Sequence, residues 1–193
     1  MQNKSLKLVT FGILMATTAF TANASESYDY FIGLDAGARI SGKIEQDNQD
    51  KDMSSSAVFG LRGGVIFNNV HQLSLGYDYR GTSEENNSDN DLEVGTVYTR
   101  YDYILPITEK LSWTVGGKLG YEMFNASNDV DELNGIVLGA QTGLSYRFND
   151  WSVGTEVDYL YHTTEVTQGT GSNKTTFKLG DEVLLMTNIQ YHF

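Results

Sequence analysis

From Tyr28 onward the chain alternates apolar and polar residues with a period of two, the repeat that sends successive side chains to opposite faces of a β-strand. Tyr30, Ile32, Leu34, Ala36, Ala38 and Ile40 share one face, and Asp29, Gly33, Asp35, Gly37 and Arg39 share the other. The pattern returns over residues 57–67, 73–80, 96–105, 111–123, 136–148, 151–162 and 183–193. In the last run Val183, Leu185, Thr187, Ile189, Tyr191 and Phe193 stand against Leu184, Met186, Asn188, Gln190 and His192. Eight strands are therefore expected.

The connections alternate in kind. Short turns are expected at Asn68-Asn69, at Pro106 to Lys110 and at Asn149-Asp150, since Asn tolerates tight-turn backbone and a proline fits where no ladder bond is needed. Polar segments separate the other strands: Glu45 to Ser56, Thr82 to Asp91, Asn125 to Asn134 and Thr167 to Lys178. This predicts an all-β fold, a transmembrane eight-stranded antiparallel up-and-down β-barrel with long loops at one end and short turns at the other.

Alternation alone does not say which face points outward. A soluble binding barrel would turn the apolar face inward. Two features favour the opposite. The polar face is rich in glycine, with Gly33, Gly37, Gly60, Gly64, Gly76, Gly116, Gly120, Gly139, Gly143 and Gly154; glycine weakens a solvated strand but makes room inside a narrow barrel. Aromatic residues also gather at the strand ends of the apolar face. Tyr101, Tyr103, Trp113, Tyr146, Phe148, Trp151, Tyr191 and Phe193 mark the turn end, and Tyr77, Tyr79, Tyr121, Tyr159 and Tyr161 the other. Two aromatic girdles suit the two interfaces of a bilayer.

With that phase the lumen receives an interior charge network of Asp35, Arg39, Arg62, Asp78, Arg80, Arg100, Asp102, Lys118, Glu122, Arg147, Glu156 and Asp158, with Asp29, Lys43 and Glu182 on the same face. A register shift by one would carry several of these charges into lipid, at about 2–4 kcal/mol for each Arg or Lys near the midplane. Paired charges would fill so small a barrel. The alternative is a narrow gated pore.

The first 24 residues read differently. Lys4 and Lys7 precede an apolar run from Leu8 to Phe20, and Ala22-Asn23-Ala24 is a small-x-small cleavage site, the pattern of a secretory signal cut after Ala24. Two domains of the precursor follow: the leader, 1–24, and the barrel, 25–193. The run is too short for a membrane helix, which needs about 20 residues. Cysteine is absent and mean hydropathy is −0.32, a value that alternating strands dilute. Of 13 Lys and Arg, the leader takes two, leaving 11 against 25 Asp and Glu. Most of the excess acid falls in the long loops, where it supports solubility and mutual repulsion, or cation bridging to anionic lipopolysaccharide.

Chemistry is sparse. Asp47, Asp50 and Asp52, like Asp129, Asp131 and Glu132, are spaced as calcium ligands are but lack the glycine and closing glutamate of an EF-hand loop. No metal site and no cofactor is expected. His71 is expected to cap a turn and His192 to close the barrel floor. His162, with Thr164 and Glu165 beside it, is the one histidine near the loop rim, and its strand phase turns it from lipid. No catalytic residue is expected. No basic patch suits nucleic acid.

The signal sequence, the eight alternating strands, the charged interior and the closing Tyr191-His192-Phe193 resemble the small outer-membrane barrels of Gram-negative bacteria, the OmpX, opacity-protein and OmpA transmembrane-domain group. The resemblance implies a monomer in the outer membrane, in contact with its lipids and lipopolysaccharide, with loops outside the cell. It also implies that Ile189, Tyr191 and Phe193 form the signal read by the barrel-assembly machinery. Without a peptidoglycan-binding domain after the last strand, it does not extend to envelope tethering. The expected function is non-enzymatic: surface interaction, adhesion or envelope integrity, through loops whose external ligand is open. A low-conductance porin and a lipid A-modifying enzyme are the alternatives.

Overall fold

Strands built on period-two alternation need partners for every backbone N–H and C=O, and in lipid only closure supplies them all. The computed structural model describes residues 28–46, 49–52, 55–84, 87–125, 134–163, 165–168 and 175–193. The expected leader, with Ala22 and Ala24, lies outside the described residues, as do parts of the polar segments. The strands are β1 (Tyr28–Gln46), β2 (Gln49–Asp52), β3 (Ala57–Phe67), β4 (His71–Glu84), β5 (Asn87–Pro106), β6 (Leu111–Asn125), β7 (Gly135–Phe148), β8 (Trp151–His162), β9 (Glu165–Gln168) and β10 (Thr175–His192).

All neighbours are antiparallel, and β1 pairs with β10 to close the sheet. The ten segments make eight staves. β3 covers β1 from Tyr28 to Ala38, and β2 continues the same stave by pairing with Lys43 to Gln46. β9 likewise continues β8, pairing with Thr175 to Lys178 of β10. The result is a closed, eight-stranded, all-antiparallel barrel. Among the described residues no helix is long and apolar enough to cross a membrane.

The long polar segments are only partly loops. β4 runs to Glu84 and β5 starts at Asn87, so the hairpin expected to open at Thr82 stays paired almost to its tip. β1, β2, β9 and β10 extend into the other segments in the same way. Ladder bonds are made by backbone, so pairing continues where side-chain alternation has ended. β1 and β5, at 19 and 20 residues, exceed the about 9–11 that span a bilayer and project beyond it at the loop end. At the turn end, Asn68 and Asn69 take φ of 54° and 59° and Asn149 takes 53°, left-handed values that asparagine accepts. The first turn uses one residue more than its Asn-Asn signal predicts, with Phe67 paired to His71.

Burial is inverted relative to a soluble protein. Leu34 and Leu75 on the outer wall are each 60% exposed, whereas Arg39, Arg62 and Arg80 inside are at most 2% exposed. Such a surface is stable only where lipid replaces water. The outer wall satisfies its few polar groups locally. The Trp113 indole N–H donates to the Thr142 hydroxyl at 2.6 Å, which in turn donates to the Thr114 carbonyl at 3.1 Å.

Candidate functional site

The lumen is the only place where this fold concentrates chemistry among the described residues, and the order of inward residues along each strand divides it into layers. Nearest the loop end, Arg80 binds Glu122 and reaches the Thr96 hydroxyl at 3.0 Å, with its Nε 3.2 Å from Glu182. Arg39 faces Glu182 at 3.5 Å and donates to the Ser56 hydroxyl at 2.6 Å and the Gly81 carbonyl at 2.9 Å. The His162 Nδ1 lies 2.7 Å from Glu122, and its Nε2 3.8 Å from Glu182.

The next inward positions carry little polarity. They are Gly37 on β1, Gly60 on β3, Tyr98 on β5, Gly120 on β6, Gly139 on β7, Leu160 on β8, and Leu184 and Met186 on β10. On β4 no such residue intervenes, and Asp78 follows Arg80 directly. Val58, Val137, Leu160, Leu184 and Met186 form one contiguous buried cluster, an apolar septum on the side of the barrel formed by β7, β8, β10 and β3. Gly76 admits the Tyr98 ring, which a Cβ there would strike.

Below the septum lies a second ionic layer. Arg100 clasps Glu156 with both terminal nitrogens at 2.7 Å and holds Asp102 through Nε at 2.6 Å. The Gln141 amide donates to Asp102 at 2.9 Å. Arg62 lies 3.1 Å from Asp35 and 3.5 Å from Glu156. Lys118 bridges Asp78 at 3.0 Å and Asp158 at 3.4 Å, with its ammonium 4.1 Å above the centre of the Tyr98 ring. Charged groups out of water are tolerable only when paired in this way.

A vestibule of about 420 Å³ occupies the turn end beneath this layer. Arg62, Arg100, Asp102 and Glu156 roof it, Gln72 and Gln190 line its walls, and the Pro106–Lys110 turn stands at its mouth. His192 lies 2.9 Å from the Ser152 hydroxyl and 3.1 Å from Asp29. Asp29 also binds Arg147.

Of the twelve charged residues expected in the lumen, eleven are buried there. Arg147 is not: its side chain is 45% exposed at the mouth, because β7 ends one residue later and strand phase carries no information about depth. The side chain of Lys43 lies outside the described residues. Glu182, placed on the inward face by parity, is a full member of the upper layer. His162, Gln141 and Thr96 belong to the network too, and a count of fixed charges passes over them because they carry none. Inward parity beside a charged neighbour on the paired strand is the signal that finds two of them, since Gln141 pairs with Asp158 and Thr96 with Glu122; His162 pairs with Val137 and is found by parity alone. His71 sits on the outer wall beside its turn, with Nδ1 2.7 Å from the Tyr101 hydroxyl and its ring stacked on Phe67. Ile189, Tyr191 and Phe193 lie on the outer wall, where Tyr191 packs on Trp151 and Phe193 on Tyr30. Among the described residues no group of three His, Asp or Glu side chains is arranged to hold a metal ion.

Solved structures share this architecture. Neisserial surface protein A (NspA) is 16% identical, with a TM-score of 0.59, over 88% of this chain and 100% of that one. Outer membrane protein H (OprH) from P. aeruginosa is 22% identical, with a TM-score of 0.58, over 86% and 99%. Outer membrane protein AlkL is 16% identical, with a TM-score of 0.57, over 90% and 94%. At these identities the likeness is one of fold: the chain is a small barrel of the outer-membrane type. A search of curated protein sequences finds no match. A family model described as "Putative MetA-pathway of phenol degradation" matches residues 67–184, more than half of the chain, from the first turn to Leu184 in the last strand, and the chain belongs to that family.

Proposed function

We propose that this protein is a monomeric outer-membrane barrel with a sealed lumen, whose work is done at its acidic loop end, in surface interaction, adhesion or envelope integrity. The observation that carries this reading is the lumen itself. Two layers of buried ion pairs, with an apolar cluster between them, lie between the vestibule and the loop end, and the near-complete burial of their side chains supports a sealed lumen. Lipids and lipopolysaccharide surround the barrel, and the loops face the cell exterior, where their negative charge selects among partners. During biogenesis the barrel-assembly machinery reads Ile189, Tyr191 and Phe193. The lumen does no covalent chemistry: His162 is 1% exposed and turned between Glu122 and Glu182, so a lipid substrate on the outer wall has no access to it.

Recording from purified protein in planar bilayers tests the reading. The sealed barrel gives no stable conductance steps, and reproducible single-channel openings would overturn it. A second reading, passage of small phenolic compounds, is favoured by the family's description and by the vestibule. It predicts slower uptake of phenol by cells lacking the protein, restored by the wild-type chain.

A further inference from the structure

Closure of the barrel brings three side chains together at the floor of the vestibule. Asp29 and Ser152 are the second residues of β1 and β8, and His192 is the last residue of β10. All three line the vestibule. The His192 Nε2 lies 2.9 Å from the Ser152 hydroxyl, and its Nδ1 lies 3.1 Å from Asp29 Oδ2. With the ring proton on Nδ1, donated to the carboxylate, Nε2 keeps a lone pair for the serine O–H. A hydroxyl, an imidazole and a carboxylate in this order are the parts of an activated acyl-transfer nucleophile. The ring is held in place: its centre is 5.9 Å from that of Phe31, and the His192 amide donates to the Asp150 carbonyl at 2.7 Å. Arg147 binds the same Asp29 oxygen. Ser152 pairs directly with Gln190 on β10 and with Arg147 on β7, and both of these also line the vestibule. Directly paired residues on one face stand about 4.5–5.5 Å apart at Cβ, so an amide and a guanidinium flank the serine as donors for a developing oxyanion.

We propose that Ser152, His192 and Asp29 form an esterase site that hydrolyses small, water-soluble carboxylic esters entering the vestibule from the turn end. The Ser152 hydroxyl oxygen adds to the ester carbonyl carbon while His192 Nε2 takes its proton. The tetrahedral intermediate collapses, the C–O bond to the alcohol breaks, and the alcohol departs with that proton, leaving Ser152 acylated. Water then adds to the acyl carbon, giving a proton to the same nitrogen, and the carboxylic acid leaves as the serine hydroxyl is restored. Asp29 takes no proton. It is a positioning residue that fixes the tautomer and stabilises the imidazolium. A vestibule of about 420 Å³ is near the lower end of the range for small-molecule pockets, so the substrates are esters with short acyl and alcohol groups. The site lies below the sealed part of the lumen and needs no passage through it.

The test treats the full chain, refolded in detergent, with diisopropyl fluorophosphate, locates the adduct by tandem mass spectrometry, and follows p-nitrophenolate release from p-nitrophenyl acetate in parallel. The expected result is one phosphorylated serine, Ser152, and ester turnover that is abolished by prior labelling and by Ser152→Ala. His192→Gln slows labelling by a factor of about 100 or more, the usual contribution of a general base. Asp29→Asn slows it too, and Asp29→Glu recovers part of the rate, a rescue that a purely structural carboxylate would not give. Gel mobility before and after heating verifies that each variant forms the barrel. An unlabelled Ser152 overturns the proposal and leaves the three residues as a hydrogen-bonded tie that closes the floor. A labelling rate unchanged in His192→Gln does the same. Should His192→Gln fail to fold, Ser152→Ala decides alone, and ester turnover that persists in it counts against the site. The readout is covalent chemistry at one serine, so it stands apart from the conductance result that tests the sealed barrel.

Discussion

Arg100 offers the sharpest examination of the claim that ion pairs fill this barrel. It makes three short bonds to carboxylates, two to Glu156 and one to Asp102, and its side chain is 3% exposed. Charge-assisted bonds of this kind contribute about 1.5–3 kcal/mol each. Replacing Arg100 with Met keeps much of the volume but strands two buried carboxylates. Part of the loss is offset, since Glu156 retains Arg62 at 3.5 Å and Asp102 retains the Gln141 amide at 2.9 Å. The expected cost of Arg100→Met is therefore about 3–5 kcal/mol, the range for breaking a buried pair from one side. Equilibrium urea unfolding in detergent, with tryptophan fluorescence and gel mobility as independent probes, measures it. Arg147→Met is the internal control. Its partner Asp29 sits at the same half-open mouth, and exposed pairs contribute about 0–1 kcal/mol. Adding Glu156→Leu to Arg100→Met should recover part of the loss, because the stranded carboxylate goes with it, giving a coupling of at least about 1 kcal/mol. If Arg100→Met costs no more than Arg147→Met, the layer is hydrated like a surface and the sealed-lumen reasoning fails.

Two further outcomes are expected. Leu34→Arg, on the outer wall opposite Ile189, should destabilise the barrel in lipid vesicles by about 2–4 kcal/mol if it lies near the bilayer midplane; a neutral effect would mean that this face does not meet lipid. Phe193→Ala should lower assembly into the outer membrane of cells more than it lowers the stability of refolded protein, because Phe193 is exposed and, among the described residues, stacks only on Tyr30 and Tyr191. Equal losses in the two assays would assign it a packing role instead of a targeting one.

The strands and their inward faces were legible because the side-chain period of two is a local property, and lipid outside with charge inside enforces it along the whole of each crossing. Tyr98 and Leu184 show the same rule at work: both follow parity into the lumen although neither is charged. Depth was not legible. Parity assigns Arg147 and Arg100 to one face and cannot tell the mouth from the middle, because height depends on the stagger between strands. Nor could partners be read. Arg62 and Glu156 are 94 residues apart, and they meet only because the barrel closes between them. The reach of the hairpins past the polar boundary was missed for a different reason. Glu84 and Asn87 pair through backbone, which leaves no mark in the side-chain pattern.

The seam between β1 and β10 constrains how the molecule can come into being. Leu34 faces Ile189 and Arg39 faces Leu184 across it, so the contacts that finish the cylinder join residues about 150 positions apart. Hairpins such as β3–β4 can form early, but every intermediate short of closure has two strands with bare backbone edges. Those edges are prohibitive in hydrocarbon, and contacts so distant in sequence form late. One neutralising pair of the upper layer is equally late, because Arg39 on β1 finds Glu182 on β10 only across that seam. A stave-by-stave entry into lipid would thus carry unmatched charge and open backbone together. Insertion and closure are on this account a single concerted step, in which the charged lumen stays hydrated until the last edge has found the first.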